Sequence, residues 1–438
     1  MTEFARRSIP LLLAGMLLAG CAAPLPEEAP QQTPSLHSSS QPEDPAPEPS
    51  PPPDEPEGTS PPAPLGIGTA AFSDPGELTP GQQEVVLALM VRYYDSLAEL
   101  ELRGPDDLFA PGADAQRLGN RAVWQYVVEV RRMQRTDLSL LSYAVELDCQ
   151  ESEENEDGSV TFRVAENSVQ RFRATPEVDS EQKNVYHQFT LVPLGEDRWA
   201  VAAHSQLDSL YWTVMGRYAY RPSAADIRSP AELEVYYEEQ VEQLLETARE
   251  DVTLRFVQGE EQAVAAGHPY DREKAVAYAR QWVGVRNGNW PDYSRNGGNC
   301  QNFVSQCLLA GGIPMDAASP GIWKWYGSTP NNLPQLAGRS AAWSAVGEFL
   351  DYARENSGYG LAAAADAPYY TGRPGDIIHL GTGDRWRHTV LISQVVADGE
   401  GNIEDYLVCS NTADLRDFPV SAYAYTRQLL IRVEGWNG

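Results

Sequence analysis

The amino-acid sequence predicts an α+β protein with two folded domains, and three features of its patterning indicate this. Residues 71–225 contain two amphipathic helical stretches followed by strand-like alternation. Residues 226–268 are helical in pattern and rich in Glu, as expected for a connector helix with one solvated face. Residues 269–438 combine helical and strand patterns again. Because the roughly 370 residues after position 70 are long for one hydrophobic core, we expect two domains.

The first predicted domain, residues 71–225, has the helical spacing of apolar residues at 82–102 and 114–134. Two helices followed by an antiparallel sheet make an α+β domain, and this order resembles the cone-shaped NTF2-like domains. No catalytic motif is visible in this half, and His187 and His204, which lie in strand-like segments, are predicted to be structural. The predicted strands are 140–147, 159–164, 185–192 and 199–203.

The first 21 residues have the pattern of a bacterial export signal. Arg6 and Arg7 precede a short apolar stretch at 9–19, which is shorter than the about 20 residues that span a bilayer. The sequence Leu-Ala-Gly-Cys at 18–21 resembles the lipobox of bacterial lipoproteins, in which the Cys is diacylated and becomes the mature N-terminus. We therefore predict lipidation at Cys21 and an extracytoplasmic, membrane-anchored protein. The alternative is an ordinary signal peptide that contains a Cys.

Residues 22–70 are predicted to form a disordered, acidic tether. Residues 22–65 hold 15 of the 33 prolines and eight acidic residues, with no Lys or Arg. Such a segment has too little apolar surface to offset the entropy of ordering the chain. Because Pro-rich chain favours an extended conformation, the tether can reach on the order of 100 Å from a membrane.

The net charge and the cysteine content argue against several kinds of ligand and structural site. A formal net charge of −29 argues against binding to nucleic acid or to anionic lipid. Five cysteines, one of them used for lipid, do not make a disulfide framework. If Cys300 stays free, at most one bridge can form among Cys149, Cys307 and Cys409. The Cys and His spacings do not match a zinc site, so no cofactor is expected.

Residues 297–307 read Gly-Gly-Asn-Cys-Gln-Asn-Phe-Val-Ser-Gln-Cys and predict a glycine turn followed by a helix that begins at Cys300. Apolar residues follow at the spacing of a buried face, and Asn299 is a candidate N-cap. The amides and partial positive charge of a helix N-terminus stabilise a thiolate and can hold an oxyanion. Cys300 is therefore the candidate nucleophile, and we expect its thiol to be more acidic than that of a free cysteine.

A base and an orienting residue follow Cys300 in the order that a cysteine hydrolase needs. His388 opens a predicted strand at 389–396, and Asn411 ends a later strand. The oxygen of Asn411 can accept the imidazole N–H and so hold its tautomer, with Asp414 as the rival orienter. A Cys on a helix tip, a His at a strand start and an Asn at the end of a later strand form the papain-like order.

These motifs resemble those of the putative amidase domain family of secreted bacterial proteins, which is related to the NlpC-type and CHAP cell-wall hydrolases. For residues 269–438 the resemblance implies a papain-like α+β domain that hydrolyses amide or peptide bonds, with Cys300 as nucleophile and His388 as base. Two departures stand out: Asn299 replaces the usual Asp before the nucleophile, and Asn411 replaces the usual His as orienter. The matching segments are 297–306, 374–376, 386–388 and 411–412 with Asp414.

Other reactive or aromatic side chains of this half receive simpler interpretations. Cys307 and Cys409 are predicted to be small buried residues, and His379, within a strand, is predicted to be structural. Several aromatic residues could either line a substrate cleft or pack at its rim, and the sequence does not decide between these roles. They are Trp290, Trp323, Trp325, Tyr326 and Trp386.

The function that these features favour is a thiol-dependent hydrolase of amide or peptide bonds. The predicted anchor and tether favour a cell-wall peptide or another amide substrate outside the cytoplasm, and the charge argues against nucleic acid as a partner. One alternative is a catalytically weak or inactive wall-binding module on the same fold. Another is a scaffolding lipoprotein in which residues 71–225 are the working part.

The lipid anchor leads to a prediction for the Cys21→Ala protein. Loss of the diacyl group removes the one strong attraction to the membrane, because an acidic chain gains nothing from anionic lipid. We expect this variant in the soluble fraction after cell lysis and ultracentrifugation, with hydrolysis unchanged. Continued sedimentation with membranes would show a second anchor.

Overall fold

The structure, a computed structural model, describes residues 65–219, 229–257, 263–295, 297–318, 322–334 and 336–438. The predicted signal peptide, Cys21 and nearly all of the predicted tether lie outside these residues. From residue 63 onward the chain forms one compact unit. None of the helices in the described ranges combines the length and apolar composition needed to cross a membrane.

The helices begin where the sequence supplies capping residues. The Thr79 hydroxyl accepts a hydrogen bond from the Gln82 backbone amide, and the Thr79 amide donates to the Gln82 side-chain oxygen, so both bonds of a capping box are present. Ser229 and Glu232 form the same arrangement at the connector helix. The helices are α1 (Pro80–Glu99), α2 (Asp114–Arg132), α3 (Ser209–Met215), α4 (Pro230–Phe256), α5 (Arg272–Trp282), α6 (Cys300–Ala310), α7 (Ala341–Ser344) and α8 (Val346–Glu355).

The strands of the described residues form one mixed sheet in the order β1-β2-β3-β4-β10-β9-β8-β7-β11-β6, with β5 paired to β4. Only β1 and β2 pair in parallel among these neighbours. The strands are β1 (Gly68–Asp74), β2 (Leu140–Glu154), β3 (Val160–Phe172), β4 (Ser180–Gly195), β5 (Arg198–Gln206), β6 (Gly360–Ala367), β7 (Ile377–Thr382), β8 (Arg385–Ala397), β9 (Ile403–Ser410), β10 (Asp414–Pro419) and β11 (Arg427–Asn437).

This architecture confirms the predicted α+β class, and the differences from the predicted elements are informative. Helices α1 and α2 begin and end within three residues of the predicted ranges, and α4 lies inside the predicted connector at 226–268. Strand β3 is much longer than predicted, because Glu166, Ser168 and Gln170 are buried polar residues that interrupt its apolar alternation. Strand β1 was missed, since its seven residues carry little apolar pattern.

Those polar residues belong to a buried network that also contains the two histidines predicted to be structural. The Asn120 amide donates to two backbone carbonyls, so its oxygen accepts from Nδ1 of His204 at 2.6 Å. Nε2 of His204 then accepts from Nδ1 of His187 at 3.0 Å. Nε2 of His187 lies 2.8 Å from a carboxylate oxygen of Glu166, within hydrogen-bond distance. Both histidines are buried.

The sheet passes without a break from the first predicted domain into the second. Strand β10 pairs with β4, with Asp414 opposite Lys183, and with β9 on its other side. Leu415 and Phe418 of β10 belong to the hydrophobic cluster that is otherwise built by α1–α4 and β2–β5. The predicted boundaries at 225 and 268 stay a prediction, but the two halves share a sheet and a core.

The second half places its helices on one face of the sheet. Helices α5, α6 and α8 pack on Ile377, Leu391 and Cys409. The opposite face buries Leu380, Val390 and further apolar residues against Tyr369 and Val420. Helix α6, which begins at Cys300, packs against strands β8 and β9.

The shared core leads to a prediction for Phe418→Ala. The Phe418 side chain is 3% exposed and its ring lies 5.3 Å from that of Phe172 on β3. We expect the free energy of unfolding, measured with urea, to fall by about 3–5 kcal/mol because a buried aromatic ring is lost. The control Leu254→Ala, at a position 65% exposed on α4, should change it by no more than about 0.5 kcal/mol. Equal values for the two variants would contradict the shared core.

Candidate active site

Cys300 is the first residue of α6, as the sequence predicts, and it is 6% exposed. Gly297 and Gly298 precede it with φ values of 97° and 111°, a conformation that glycine adopts without strain. The predicted cap is wrong in detail, because the Asn299 side chain makes no capping bond to the helix. Its oxygen instead accepts from the Tyr293 amide at 3.1 Å and from the Asn302 side chain at 2.9 Å.

The thiol of Cys300 lies among backbone N–H groups. The backbone amides of Thr389, of Gln301 and of Cys300 itself lie near its sulfur and favour the thiolate. The Thr389 amide places the sulfur beside the peptide bond that joins His388 to Thr389. Amides converging at one point can hold the negative oxygen of a tetrahedral intermediate.

The acidity of the thiol differs from the expectation based on the helix N-terminus. Burial raises the pKa of the Cys300 thiol, and the donated bonds of the three amides only partly offset this. The desolvation cost of a thiolate in this closed site exceeds what the helix end supplies. The resting thiol is therefore neutral at pH 7, and the expectation of an unusually acidic cysteine is wrong for this arrangement.

His388 lies on β8 opposite Leu380 of β7, and it is 4% exposed. Burial lowers the pKa of its imidazole to about 4, so the ring is neutral at pH 7. Its Nε2 is buried and has no hydrogen-bond partner among the described residues. A neutral imidazole with a free nitrogen can accept a proton, as a general base does.

Two tyrosines connect the surroundings of His388 and Cys300. The His388 ring lies 5.7 Å from the Tyr423 ring and 6.0 Å from the Tyr425 ring, which is nearly parallel to it. Burial raises the pKa of both tyrosines, and the charge of an ionised Cys300 raises it further. The nucleophile and the base thus share one enclosed, aromatic environment.

The third predicted residue, Asn411, contacts the segment before the nucleophile. Its oxygen accepts from the Asn299 side chain at 3.0 Å, and its amide donates to the Trp282 carbonyl at 3.4 Å. The rival orienter, Asp414, is 1% exposed and accepts from Arg286 at 3.0 Å. In this structure both side chains are engaged with groups other than His388.

The other cysteines, His379 and the aromatic residues noted in the sequence are mostly buried or partly buried. Cys149, Cys307 and Cys409 are free cysteines. His379 is fully buried beside Phe349, and both of its ring nitrogens lack partners among the described residues. Of the aromatic residues that could line a cleft, Trp323 is fully buried and Tyr326 is half exposed. The other three are partly buried: Trp290, Trp325 and Trp386.

Sequence reasoning missed Thr389, Thr412, Tyr423 and Tyr425. Thr389 acts through its backbone amide, and Thr412 through its hydroxyl, which accepts from the Asn299 amide at 2.7 Å. A Thr or Tyr without a recognised motif carries no signal for such a contact. Within the described ranges, no three or more His, Cys, Asp or Glu side chains cluster as metal ligands would.

The buried thiol leads to a prediction on alkylation. The rate of Cys300 modification by iodoacetamide, followed by peptide mass spectrometry, should be low at pH 7. It should rise with an inflection above the about 8.5 of a free cysteine, because burial disfavours the thiolate. In urea-unfolded protein the inflection should return to about 8.5. An inflection of the folded protein below that value would contradict the structure.

Comparison with known proteins finds one matching family and one curated relative. Residues 269–433 match the sequence model of the family described as "Putative amidase domain". The uncharacterized protein YhbB of Bacillus subtilis (strain 168) is 34% identical over 162 residues, which cover 36% of this chain and 46% of that protein. The match thus spans about half the length of the curated relative. No solved structure matches the chain. The C-terminal part of the chain is therefore consistent with an amidase domain.

Proposed function

We propose that residues 269–438 are a thiol-dependent hydrolase of amide or peptide bonds, with Cys300 as nucleophile and His388 as general base. The observation that supports this most is the position of the Cys300 sulfur. It lies near the backbone amide of Thr389, and the preceding residue, His388, has a buried imidazole whose Nε2 has no partner among the described residues. The match of residues 269–433 to a family described as a putative amidase domain supports hydrolysis of amide bonds.

The proposed reaction follows from the neutral state of both groups. The sulfur attacks the amide carbon while the thiol proton passes to Nε2 of His388, which avoids a free thiolate in the buried site. The amides at the helix start hold the oxyanion. The C–N bond then breaks, His388 returns the proton to the leaving amine, and a thioester remains. Water attacks the thioester, with His388 again taking and returning a proton, and releases a carboxylic acid.

Access to the sulfur needs a local movement. A reacting carbonyl must approach within about 3–3.5 Å of the nucleophile, yet Cys300 and His388 are 6% and 4% exposed. Tyr423 and Tyr425, which lie against His388, are the side chains whose displacement opens this environment. Substrate binding therefore includes opening of the tyrosine pair.

Asn411 is retained as the third residue of the proposed site. Its present contact with Asn299 aligns the residue before the nucleophile. A turn of its side chain after the tyrosines open would let its oxygen accept from the imidazole, the role predicted from the sequence. Asp414 is less suited to that role because its carboxylate pairs with Arg286.

The location and substrate class rest on the sequence. The lipobox-like segment at Cys21 and the acidic tether favour an extracytoplasmic protein that is held to the membrane by lipid. From there a domain on a tether reaching on the order of 100 Å can meet the wall, so peptidoglycan stem peptides are the proposed substrates. The second candidate, a weak or inactive wall-binding module, is favoured by the burial and raised pKa of the thiol.

Four single variants test the proposal: Cys300→Ala, His388→Ala, Asn411→Ala and Asp414→Ala. The substrates are purified wall fragments and a peptide library, and products are identified by mass spectrometry. We expect Cys300→Ala to abolish turnover and His388→Ala to lower it by about 10²–10⁴-fold, because proton transfer is lost. Asn411→Ala should lose less, since it affects alignment only.

Each outcome bears on a different assignment. Equal turnover in Cys300→Ala and the unmodified protein would contradict the hydrolase outright. A complete lack of hydrolysis in the unmodified protein, with fragments still bound, would favour the binding module. A loss in Asp414→Ala together with unchanged turnover in Asn411→Ala would move the third role to Asp414.

A further inference from the structure

We propose that Asn184, in the first half of the chain, is a positioning residue for the nucleophile of the second half. It acts through the turn at 411–414, which we call the catalytic turn. The inference rests on the proposed function for the meaning of Cys300, and it adds that residues 269–438 do not by themselves hold a complete site.

The catalytic turn holds the residue before the nucleophile by two hydrogen bonds. The Asn299 amide donates to the Thr412 hydroxyl at 2.7 Å, and the Asn299 side chain donates to Asn411 at 3.0 Å. The next residue is Cys300, the start of α6. A shift of the turn therefore shifts the first residue of the helix that carries the sulfur.

The turn needs support because its backbone is in an unfavourable conformation. Thr412 and Ala413 have φ values of 71° and 47°, the left-handed region that residues with a side chain rarely adopt. Asp414 provides part of the support, because its Oδ1 accepts from the Thr412 amide at 3.1 Å and from Arg286 at 3.0 Å. Without these bonds the turn would relax towards ordinary backbone angles.

The other oxygen of this buried carboxylate depends on the first half of the chain. The Asn184 side chain donates to Oδ2 of Asp414 at 2.7 Å, across the pairing of β4 with β10. A carboxylate that is 1% exposed requires partners on both oxygens, since an unpaired buried acceptor is costly. Arg286 and the Thr412 amide satisfy one oxygen, and Asn184 satisfies the other.

The local backbone of Asn184 is shaped for this contact. Its φ is 59°, and it lies where the β3–β4 register shifts between Glu166 and Ser168. At this bulge Lys183 and Asn184 of β4 lie opposite the single residue Asn167 of β3. The Asn167 side chain accepts from the Asn184 amide at 3.2 Å. A bulge redirects a side chain that regular pleating would place elsewhere. Here the redirected side chain points to the catalytic turn.

The test uses the full chain in the soluble Cys21→Ala background. Asn184→Gly removes the side chain but tolerates a positive φ, so it separates the lost hydrogen bond from backbone strain. The matched control is Arg416→Ala, which removes a 3.4 Å ion pair with Glu181 across the same two strands. In the double variant Asn184→Asp, Asp414→Asn, the donor and the acceptor of this hydrogen bond change places, so the bond can form again. Thermal melting verifies that each variant is folded.

Two readouts are measured on each variant. The first is the pH dependence of Cys300 alkylation by iodoacetamide, and the second is kcat and KM for hydrolysis of wall-derived peptides. For Asn184→Gly we expect an alkylation inflection that moves down towards the about 8.5 of a free cysteine, because a displaced sulfur is better solvated. We also expect kcat to fall about 10- to 100-fold with KM little changed, the usual result of misalignment.

Arg416→Ala should change neither readout, and the exchange variant should recover part of the alkylation profile. An unchanged profile and kcat in Asn184→Gly would overturn the proposal, as would an equal loss in Arg416→Ala. If the unmodified protein hydrolyses none of the peptides, but Asn184→Gly still moves the alkylation profile, the positioning role stands and the hydrolase assignment fails.

Discussion

The constraint on which the site depends is the burial of both the Cys300 thiol and the His388 imidazole. Burial raises the pKa of Cys300 and lowers that of His388 to about 4, so neither group carries charge at rest. Because a charged pair is costly in a low-dielectric site, the proposed reaction needs the proton to move as the sulfur attacks. The Thr389 amide and the start of α6 then supply the stabilisation that the solvent does not.

The same site depends on contacts far away in sequence. Strand β10 carries the catalytic turn into a sheet whose next strand, β4, belongs to the first half of the chain. The core that supports β10 is also built largely by the first half, through residues such as Phe172 beside Phe418. The proposed role of residues 71–225 in holding the site rests on these contacts.

The sequence predicts features that depend on neighbouring residues, and it does not predict features that depend on contacts between distant residues. The start of α6 at Cys300 was predictable because the Gly-Gly turn and the apolar spacing are neighbours in the chain. The long β3 was not, since its buried Glu166 finds partners in His187 and Tyr94 only after folding. Whether a segment is a helix or a strand is still predicted despite such contacts, whereas its length is not.

The properties of the site residues show the same limit. The predicted acidity of Cys300 considered the helix end but not burial, which depends on the whole fold. Asn299 occupies the predicted N-cap position, but its side-chain oxygen accepts from Tyr293 and Asn302 and does not cap the helix. The pairing of Asn184 with Asp414 joins residues 230 positions apart, and no local pattern announces it.

The most direct test of the account is covalent trapping by a peptide that carries an electrophilic vinyl sulfone in place of the scissile amide. The protein is incubated with it at pH 7, and the modified residue is identified by mass spectrometry in the unmodified protein and in His388→Ala. The account predicts an adduct on Cys300, formed much more slowly without His388, with Cys149 unmodified. Labelling of Cys149 at the same rate as Cys300, or an adduct at Cys300 that forms equally fast in His388→Ala, would contradict it.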